Sequence, residues 1–231
     1  MEKKISPIGY VKNDYNEKFR LPSQSGKVNS VVSEIIFYAP FNDKNAFIEL
    51  EGFSHVWLLF DFSLCKYDGK SLTVRPPRLG GNKHVGVFAS RAPYRPNSIG
   101  LSAVKIIKIN DTESGITLTV SGADLLDGTP IYDVKPYLPQ VDNIENAVGG
   151  YSEQFKDYAL NVTIKCEVPK SISNEKLASI LDVLKEDPRP SYQNDTREYG
   201  LTFGNFNVKF FVKEDTLFIT EITEIEKVCI L

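Results

Sequence analysis

Short runs of β-branched and aromatic residues, separated by Gly, Pro, Asn and Asp, fill the first two thirds of the chain. They lie at 31–38, 53–62, 85–89, 101–109 and 116–123. Residues 116–120 alternate apolar and polar side chains, which is typical of a half-buried antiparallel strand. No helical pattern of 10–15 residues recurs between these runs, which argues against a doubly wound sheet. We predict a β-barrel or closed sheet.

The pattern changes after a polar, Gly-containing stretch at 140–158. Residues 158–167 read as a strand, and Ser173 can cap a helix that ends before Pro188. The apolar residues of this helix follow i, i+3, i+4, i+7 spacing: Leu177, Ile180, Leu181 and Leu184.

Two further runs, 207–213 and 216–222, predict a hairpin. The fold class is therefore mainly β with α+β. We expect a β-barrel domain at 1–145, followed by a small C-terminal α+β domain at 158–231 with β-α-β-β order.

Charge is unevenly distributed along the chain, although the formal net charge is only −3. Residues 66–108 contain nine Lys or Arg and one acid, a net charge of +8, which leaves −11 for the rest. Such a basic segment suits local contact with a polyanion. The alternative is a solvated face whose charges are neutralised by acidic segments in the fold.

Several classes of protein are disfavoured by what the sequence lacks. Cys65, Cys166 and Cys229 have no short spacing, so they predict reduced thiols and neither a zinc site nor a disulfide framework. The first residues lack the apolar segment of a signal peptide, and no apolar run approaches membrane-spanning length. We expect a cytoplasmic protein.

Familiar catalytic and nucleotide-binding motifs are also absent, including the P-loop, the G-x-G-x-x-G fingerprint and the G-x-S-x-G elbow. The chain has only two histidines, His55 and His84, and His55 stands in an apolar run where a packing role is expected. We therefore expect no metal site.

Three stretches dense in turn-forming and polar residues are the candidates for function. The first, 75–82, combines two prolines and two glycines with Arg75 and Arg78, and by itself it reads as a plain surface loop. In the second, 88–101, Arg91 and Arg95 flank a Pro-containing turn. Arginines in that arrangement can bind a carboxylate or a phosphate.

The third stretch, 126–139, contains a tight turn at Asp127-Gly128 and then an alternating polar pattern. An extended backbone would project Asp133, Lys135 and Tyr137 from one face. Three different titratable groups on one face indicate a site. The alternative is a strand edge that carries charges to discourage pairing.

Together, these stretches resemble the TsaA/TrmO family of tRNA N6-threonylcarbamoyladenosine methyltransferases. The matching motifs run in order along most of the chain: Ile-Gly at 8–9, Lys-Phe at 18–19, Pro22, Gly-Phe-Ser-His-Val-Trp at 52–57, Pro-Pro-Arg-Leu-Gly-Gly at 76–81, Gly-Val-Phe-Ala-Ser-Arg at 86–91, Arg-Pro-Asn-Ser-Ile-Gly at 95–100, Asp-Gly-Thr-Pro at 127–130, Asp-Val-Lys-Pro-Tyr-Leu-Pro at 133–139 and Asp-Pro-Arg-Pro-Ser-Tyr at 187–192. Two positions depart from the family pattern: Ser98 stands where a proline is usual, and Ser90-Arg91-Ala92 replaces the more usual Thr-Arg-Ser.

The resemblance implies a homodimeric methyltransferase that binds S-adenosyl-L-methionine on a β-barrel. Carried over by position, the cofactor contacts fall on Gln24, Ser25, Gly26, Phe62, Ser63, Arg91, Leu101, Asp127, Gly128, Thr129 and Pro130. We expect Phe62 and Leu101 to enclose apolar parts of the cofactor and Arg91 to hold its carboxylate. Asp127 would accept a hydrogen bond from a ribose hydroxyl or from the α-amine.

The implied reaction is methyl transfer to N6 of threonylcarbamoyladenosine beside the tRNA anticodon. Asp133 is our first candidate for the group that orients or removes the N6 proton, and Tyr137 is the second. Lys135 and Arg95 would bind the threonyl carboxylate or nearby phosphates. The residues expected to contact tRNA are Arg78, Lys83, Tyr94, Arg95 and Asn97, with Tyr94 stacking on an anticodon-loop base.

Three other interpretations remain open from sequence. The chain could be a non-catalytic module that binds S-adenosylmethionine or another adenosyl ligand. It could methylate a small molecule, for which the basic segment would be irrelevant. It could also be a structural barrel in which Asp133, Lys135 and Tyr137 only decorate an edge.

Overall fold

A computed structural model describes residues 4–17, 21–22, 24–65, 67, 69–80, 82–189 and 197–225 of the 231-residue chain. Several residues of the motifs and segments described above lie outside these ranges: Lys18, Phe19, Lys66, Gly81, Cys229 and the segment 190–192.

Six strands form a closed barrel, in the order β1-β2-β7-β6-β3-β8. Every neighbouring pair in the barrel is antiparallel. A two-stranded ribbon, β4-β5, is inserted between β3 and β6. The strand bounds are β1 Gly9–Lys12, β2 Val32–Phe37, β3 His55–Asp61, β4 Thr73–Val74, β5 Val85–Gly86, β6 Ile99–Thr112, β7 Gly115–Ser121 and β8 Pro130–Pro136.

Alternating side chains fill the barrel interior. In β3, Val56, Leu58 and Phe60 point inward and are almost fully buried, while the residues between them face outward. Ile35 of β2 and Leu118 of β7 meet them in the same apolar cluster. Burial of a side chain of this size contributes about 1.5–3 kcal/mol, so the two-residue period of the strands fixes which face becomes the core.

The C-terminal unit is a four-stranded sheet, in the order β10-β11-β12-β9, with one packed helix. Its helix begins after Ser173, whose hydroxyl accepts a hydrogen bond from the Lys176 amide at 3.2 Å. Ile180 and Leu184 of this helix are fully buried against the sheet. The bounds are β9 Asn161–Ile164, α2 Asn174–Lys185, β10 Tyr199–Phe203, β11 Phe206–Lys213 and β12 Thr216–Glu224; a one-turn helix, α1, covers Pro139–Asp142.

The mainly-β fold class is confirmed, but two local predictions are wrong. The run 85–89 was expected to be one strand; it is a strand of two residues followed by a 3-10 turn at Val87–Ala89. The C-terminal unit has a strand, β10, that the β-α-β-β order omits. Tyr199, Leu201 and Phe203 alternate along this strand, so its signal was present in the sequence.

The chain between β1 and β2 packs on the C-terminal sheet. Tyr15 forms a β-bridge with Phe203, and their rings meet edge to face at 5.5 Å. Val28 and Val31 are buried in the apolar cluster of the C-terminal unit. The segment that precedes β2 therefore contributes side chains to the core of the C-terminal unit. Among the helices that the structure describes, none is long and apolar enough to cross a membrane.

Gly9 allows the close approach of β1 and β2. A Cβ atom at this position would lie 2.3 Å from the Ile36 carbonyl oxygen, which is backbone and cannot rotate away. We expect Gly9→Ala to lower the free energy of unfolding by about 1–3 kcal/mol because of this overlap. Urea denaturation would measure the change. Gly52→Ala is the control, since nothing lies within 4 Å of its added Cβ; equal loss in both variants would contradict this account.

Candidate active site

The antiparallel barrel gathers three loops at one of its ends. Asp61, the last residue of β3, pairs with Ile99, the first residue of β6, so the connection 62–98 begins and ends there. The first residue of β2, Val32, pairs with the last residue of β7, Ser121. The segments 13–31 and 122–129 therefore emerge beside the same end.

Two of these loops are joined through their backbones. The Gly26 amide donates a hydrogen bond to the Gly122 carbonyl at 2.8 Å. Gly122 has a φ of 80°, and a Cβ there would lie 2.9 Å from Asn29 Oδ1 and 3.3 Å from the Gly26 Cα. The absence of a side chain at Gly122 lets the loop that contains Gln24, Ser25 and Gly26 pack against the segment that follows β7.

The third loop reaches this pair through Arg91. Its Nη1 donates a hydrogen bond to Gln24 Oε1 at 2.7 Å, although the two residues are 67 positions apart. Arg95 stabilises the turn at 87–95, because its Nη1 donates hydrogen bonds to the carbonyls of Ser90 at 2.7 Å and Val87 at 3.2 Å. The exposed Arg91 guanidinium therefore extends from a braced loop.

A half-buried carboxylate that was not predicted from sequence, Asp124, lies between these loops. Asp124 accepts a hydrogen bond from the Ser102 hydroxyl at 2.6 Å and another from the Ser25 amide. Burial raises the pKa of Asp124 above its ordinary value, against the opposing influence of these hydrogen bonds and of the nearby Arg91 charge. One signal for it existed in the sequence: an acid between Ala123 and Leu125, both of which are buried.

The Asp127-Gly128 turn adjoins the same end of the barrel. The Thr129 amide donates to the Leu126 carbonyl at 3.1 Å, which closes the turn. Asp127 accepts a hydrogen bond from the Asn13 amide at 2.9 Å through Oδ1. Thr129 is buried, whereas Asp127 and Gly128 are exposed. The predicted turn is present, and its carboxylate holds β1 in place.

Phe62 and Leu101 flank the rim of the barrel. The Phe62 amide donates to the Ser98 carbonyl at 2.8 Å, and its ring contacts Phe60 edge to face at 5.1 Å. Ser63 is exposed. Leu101 pairs with Leu59 and is 51% exposed, so it belongs to the outer face of the barrel.

The departure at position 98 has a structural counterpart. Ser98 has a φ of 33°, whereas the ring of proline holds φ near −65°. The loop conformation in this chain is therefore one that the usual proline cannot adopt.

Asp133, Lys135 and Tyr137 follow one another on the outer face of β8 and just beyond it. Lys135 Nζ lies 2.9 Å from Asp133 Oδ2, and the Tyr137 ring packs against Trp57 with centroids 5.5 Å apart. Asp133 pairs with Leu59, which in turn pairs with Leu101. Since neighbouring strands are about 4.8 Å apart, Asp133 and Leu101 lie roughly 10 Å from one another on the same face.

An open groove of about 370 Å³ runs beside Asp133. Leu59 and Ile99 form its apolar floor, and Lys4 and Tyr132 contribute polar groups. Burial, followed by the charge of Asp61 and a hydrogen bond to it, raises the pKa of Tyr132. The groove offers an apolar surface with a carboxylate at its margin, which suits a flat heterocycle.

The five residues predicted to contact tRNA differ in their surroundings. Lys83, Tyr94 and Asn97 are exposed on the connection 62–98. Arg95 is half-buried and holds the carbonyls described above. Arg78 donates to the Glu186 carbonyl at 3.1 Å and lies over the Tyr158 ring at 4.8 Å, so it contacts the C-terminal unit.

Glu186 links the C-terminal unit to two of the loops. Its carboxylate lies 3.1 Å from Lys27 Nζ and 3.8 Å from Arg78 Nη2, and its side chain is only 14% exposed. Next to it, Asp187 accepts a hydrogen bond from the Tyr158 hydroxyl at 2.6 Å and forms a bidentate pair with Arg189. The end of α2 is thereby fixed against the barrel loops.

His55 has the packing role that was predicted for it. Its Nδ1 lies 2.8 Å from the Ser54 hydroxyl, and its ring is 6.2 Å from that of Tyr137. Within the described ranges, no three His, Cys, Asp or Glu side chains are grouped closely enough to hold a metal ion.

Comparison with known proteins identifies the family. The family model described as the tRNA-methyltransferase O N-terminal domain matches residues 10–143, and its C-terminal counterpart matches residues 155–225. The chain belongs to the tRNA-methyltransferase O family. The family that the sequence motifs indicate is thereby confirmed.

Similar proteins extend over nearly the whole chain. The tRNA (adenine(37)-N6)-methyltransferase of Escherichia coli K12 is 37% identical over 216 residues, which cover 90% of this chain and 92% of that protein. A Pseudomonas aeruginosa protein, RcsF, is named as an S-adenosylmethionine-dependent methyltransferase. It is 38% identical over 223 residues, which cover 90% of this chain and 92% of that protein. A crystal structure of TrmO from P. aeruginosa has a TM-score of 0.79 at 31% identity and covers 97% of this chain and 98% of the other.

Glu186 provides a test of how the C-terminal unit is attached in this member of the family. We expect Glu186→Gln to lower the free energy of unfolding by about 1–3 kcal/mol, because Lys27 and Arg78 lose a largely buried counter-charge. Chemical denaturation would measure it. Glu221→Gln is the control, since its pair with Lys209 is about 40% exposed. Unfolding midpoints that fall equally in both variants would contradict the assignment.

Proposed function

We propose that this chain is an S-adenosyl-L-methionine-dependent methyltransferase that methylates N6 of adenosine 37 in tRNA. We further propose that the acceptor is N6-threonylcarbamoyladenosine. The relatives named above support the reaction class. The observation that carries the proposal is the meeting of three loops at one barrel end, where Arg91 contacts Gln24 and Asp124 contacts Ser25.

The residues around this end fit such a cofactor. Arg91 presents an exposed guanidinium, which matches a carboxylate in a bidentate manner. Phe62 and Leu101 supply apolar surface at the rim, and Asp127 has a second carboxylate oxygen beside its contact with Asn13. When bound, the cofactor supplies an activated methyl group on a sulfonium. The protein's part is chiefly to position donor and acceptor in line.

Asp133 is proposed to act on the acceptor nitrogen. N6 of threonylcarbamoyladenosine is conjugated to the purine and to a carbonyl, so it is a poor nucleophile while it keeps its proton. The groove beside Asp133 would hold the base on Leu59 and Ile99, with the carboxylate at its edge. Tyr137, fixed by Trp57, is the second candidate for this role.

Lys135 is proposed to bind the threonyl carboxylate. Its present partner is Asp133 at 2.9 Å, in a pair whose side chains are 62% and 44% exposed. An ion pair this exposed contributes little, so a substrate carboxylate can replace it. Release of Lys135 would also leave Asp133 free to accept the N6 proton. Arg95 is assigned instead to its loop carbonyls, which it already holds.

For tRNA, the proposal uses the exposed residues of the connection 62–98. Lys83 and Asn97 would contact the backbone, and Tyr94 would stack on an anticodon-loop base. Arg78 is assigned to the C-terminal unit. We also propose a homodimer that works in the cytoplasm.

The direct test uses labelled S-adenosylmethionine and two tRNA preparations, one carrying threonylcarbamoyladenosine and one lacking it. We expect label in the modified tRNA alone, at adenosine 37, because the proposed acceptor requires the threonylcarbamoyl group. Transfer to both preparations would refute the proposed acceptor. Cofactor binding without transfer to either would indicate a binding module or an enzyme for a small molecule.

The role of Asp133 predicts a separation of turnover from binding. We expect Asp133→Asn to lower kcat by about a hundredfold or more, since loss of proton transfer typically costs that much, while cofactor affinity is unchanged. Steady-state kinetics with modified tRNA and calorimetry would measure both. Asp182→Asn is the matched control, because Asp182 also pairs with a lysine at 2.9 Å but lies on α2. Near-normal turnover by Asp133→Asn would contradict the proposed role of Asp133 at the acceptor nitrogen.

A further inference from the structure

We propose that Asp124 and Arg91 together bind the zwitterionic amino-acid end of the cofactor, with Asp124 accepting hydrogen bonds from the α-ammonium group. This inference rests on the cofactor site proposed above and adds a residue that neither the sequence motifs nor the relatives assign. It makes Asp124 the group that recognises the amine, in place of Asp127.

The position of Asp124 places it among the candidate cofactor contacts. Asp124 follows β7, lies beside the loop that carries Ser25, and is close enough to Arg91 for the two charges to interact. Its Oδ1 is fixed by the Ser102 hydroxyl at 2.6 Å, and Ser102 is itself only 3% exposed. An ionised carboxylate has about four acceptor sites, so these contacts orient it and leave capacity for a further donor.

The electrostatic surroundings of Asp124 favour a cationic ligand. Among the residues that the structure describes, no Lys or Arg nitrogen lies within 4.0 Å of Asp124. A carboxylate taken out of water without a paired cation is costly. The charged and titratable groups that face it are Arg91, at longer range and already bonded to Gln24, and the buried Tyr15. A ligand ammonium would supply the missing partner.

Asp124 complements Arg91 better than Asp127 does. Asp127 is exposed, and one of its oxygens already accepts from the Asn13 amide. Asp124 and Arg91 instead provide a carboxylate and a guanidinium near enough for their charges to interact, and such a pair complements the α-ammonium and α-carboxylate groups of an amino acid. On this proposal, the adenosyl group would be held by other residues of the site.

A dependence on pH follows. Burial raises the pKa of Asp124 in the free protein, and a bound ammonium would lower it again. Binding of a ligand that carries the amine therefore releases a proton, and its affinity falls as the pH falls through the raised pKa. A ligand without the amino-acid end would show neither effect.

Calorimetry on the full chain with two probes tests the assignment. S-adenosylhomocysteine has the amino-acid end, and 5′-methylthioadenosine lacks it. We expect Asp124→Asn to weaken binding of the first by about tenfold to a hundredfold and to leave the second within about twofold. Arg91→Ala should show the same selectivity. Glu34→Gln is the matched control, because Glu34 also accepts a hydrogen bond from a hydroxyl on the barrel, that of Thr117 at 2.7 Å. We expect this variant to bind both probes as the wild-type chain does.

The wild-type chain gives a second measurement that does not depend on a variant folding. Titrations in buffers of different ionisation enthalpy should show proton release at acidic pH with S-adenosylhomocysteine and none with 5′-methylthioadenosine. Equal loss of both probes in Asp124→Asn, unchanged binding of both, or no selective proton release would overturn the assignment while leaving the proposed function intact. A wild-type chain that binds neither probe would overturn the cofactor site as well.

Discussion

Closure of the six-stranded antiparallel barrel is the constraint on which the rest of the structure depends. Because each strand reverses direction, the connections alternate between the two ends, and closure places 13–31, 62–98 and 122–129 at the same end. These segments are distant in sequence, yet Arg91 reaches Gln24 and Ser102 reaches Asp124. A barrel has no free edge, so its rim and outer face provide the sites for function.

The C-terminal unit supports this arrangement from outside the barrel. Val28 and Val31 are buried in its core, while Lys27 bonds to Glu186. The segment that carries Ser25 is therefore held by the apolar core of the C-terminal unit and by one largely buried ion pair. Such a loop loses little conformational entropy when a ligand binds, which is the general advantage of a preformed site.

Much of the fold could be predicted from local patterns. The alternation of apolar residues located most barrel strands, and Ser173 with the apolar spacing that follows it located α2. The same reasoning missed β10, although Tyr199, Leu201 and Phe203 alternate along it. It also extended the strand at 85–89 too far. The 3-10 turn there is held by hydrogen bonds from Arg95 to the carbonyls of Val87 and Ser90, and hydrophobic periodicity carries no information about such contacts.

The candidate site was only partly predictable for the same reason. Asp133 and Lys135 are two residues apart on one strand, so their place on the same face could be predicted from the sequence, and the two side chains form an ion pair. Which loops meet is decided by barrel closure, so the environments of Arg78 and Asp124 could not be read from sequence. An arginine in a basic segment indicates nucleic acid, yet Arg78 contacts Glu186; an acid between apolar residues indicates nothing until Ser102 and Ser25 are seen beside it.

The claim that three loops form one cofactor pocket can be measured directly by hydrogen–deuterium exchange with and without S-adenosylhomocysteine. We expect slower exchange in peptides that cover 24–30, 87–95 and 122–130, with little change across the sheet β10-β11-β12-β9. Protection confined to a single loop, or concentrated in the C-terminal sheet, would contradict it.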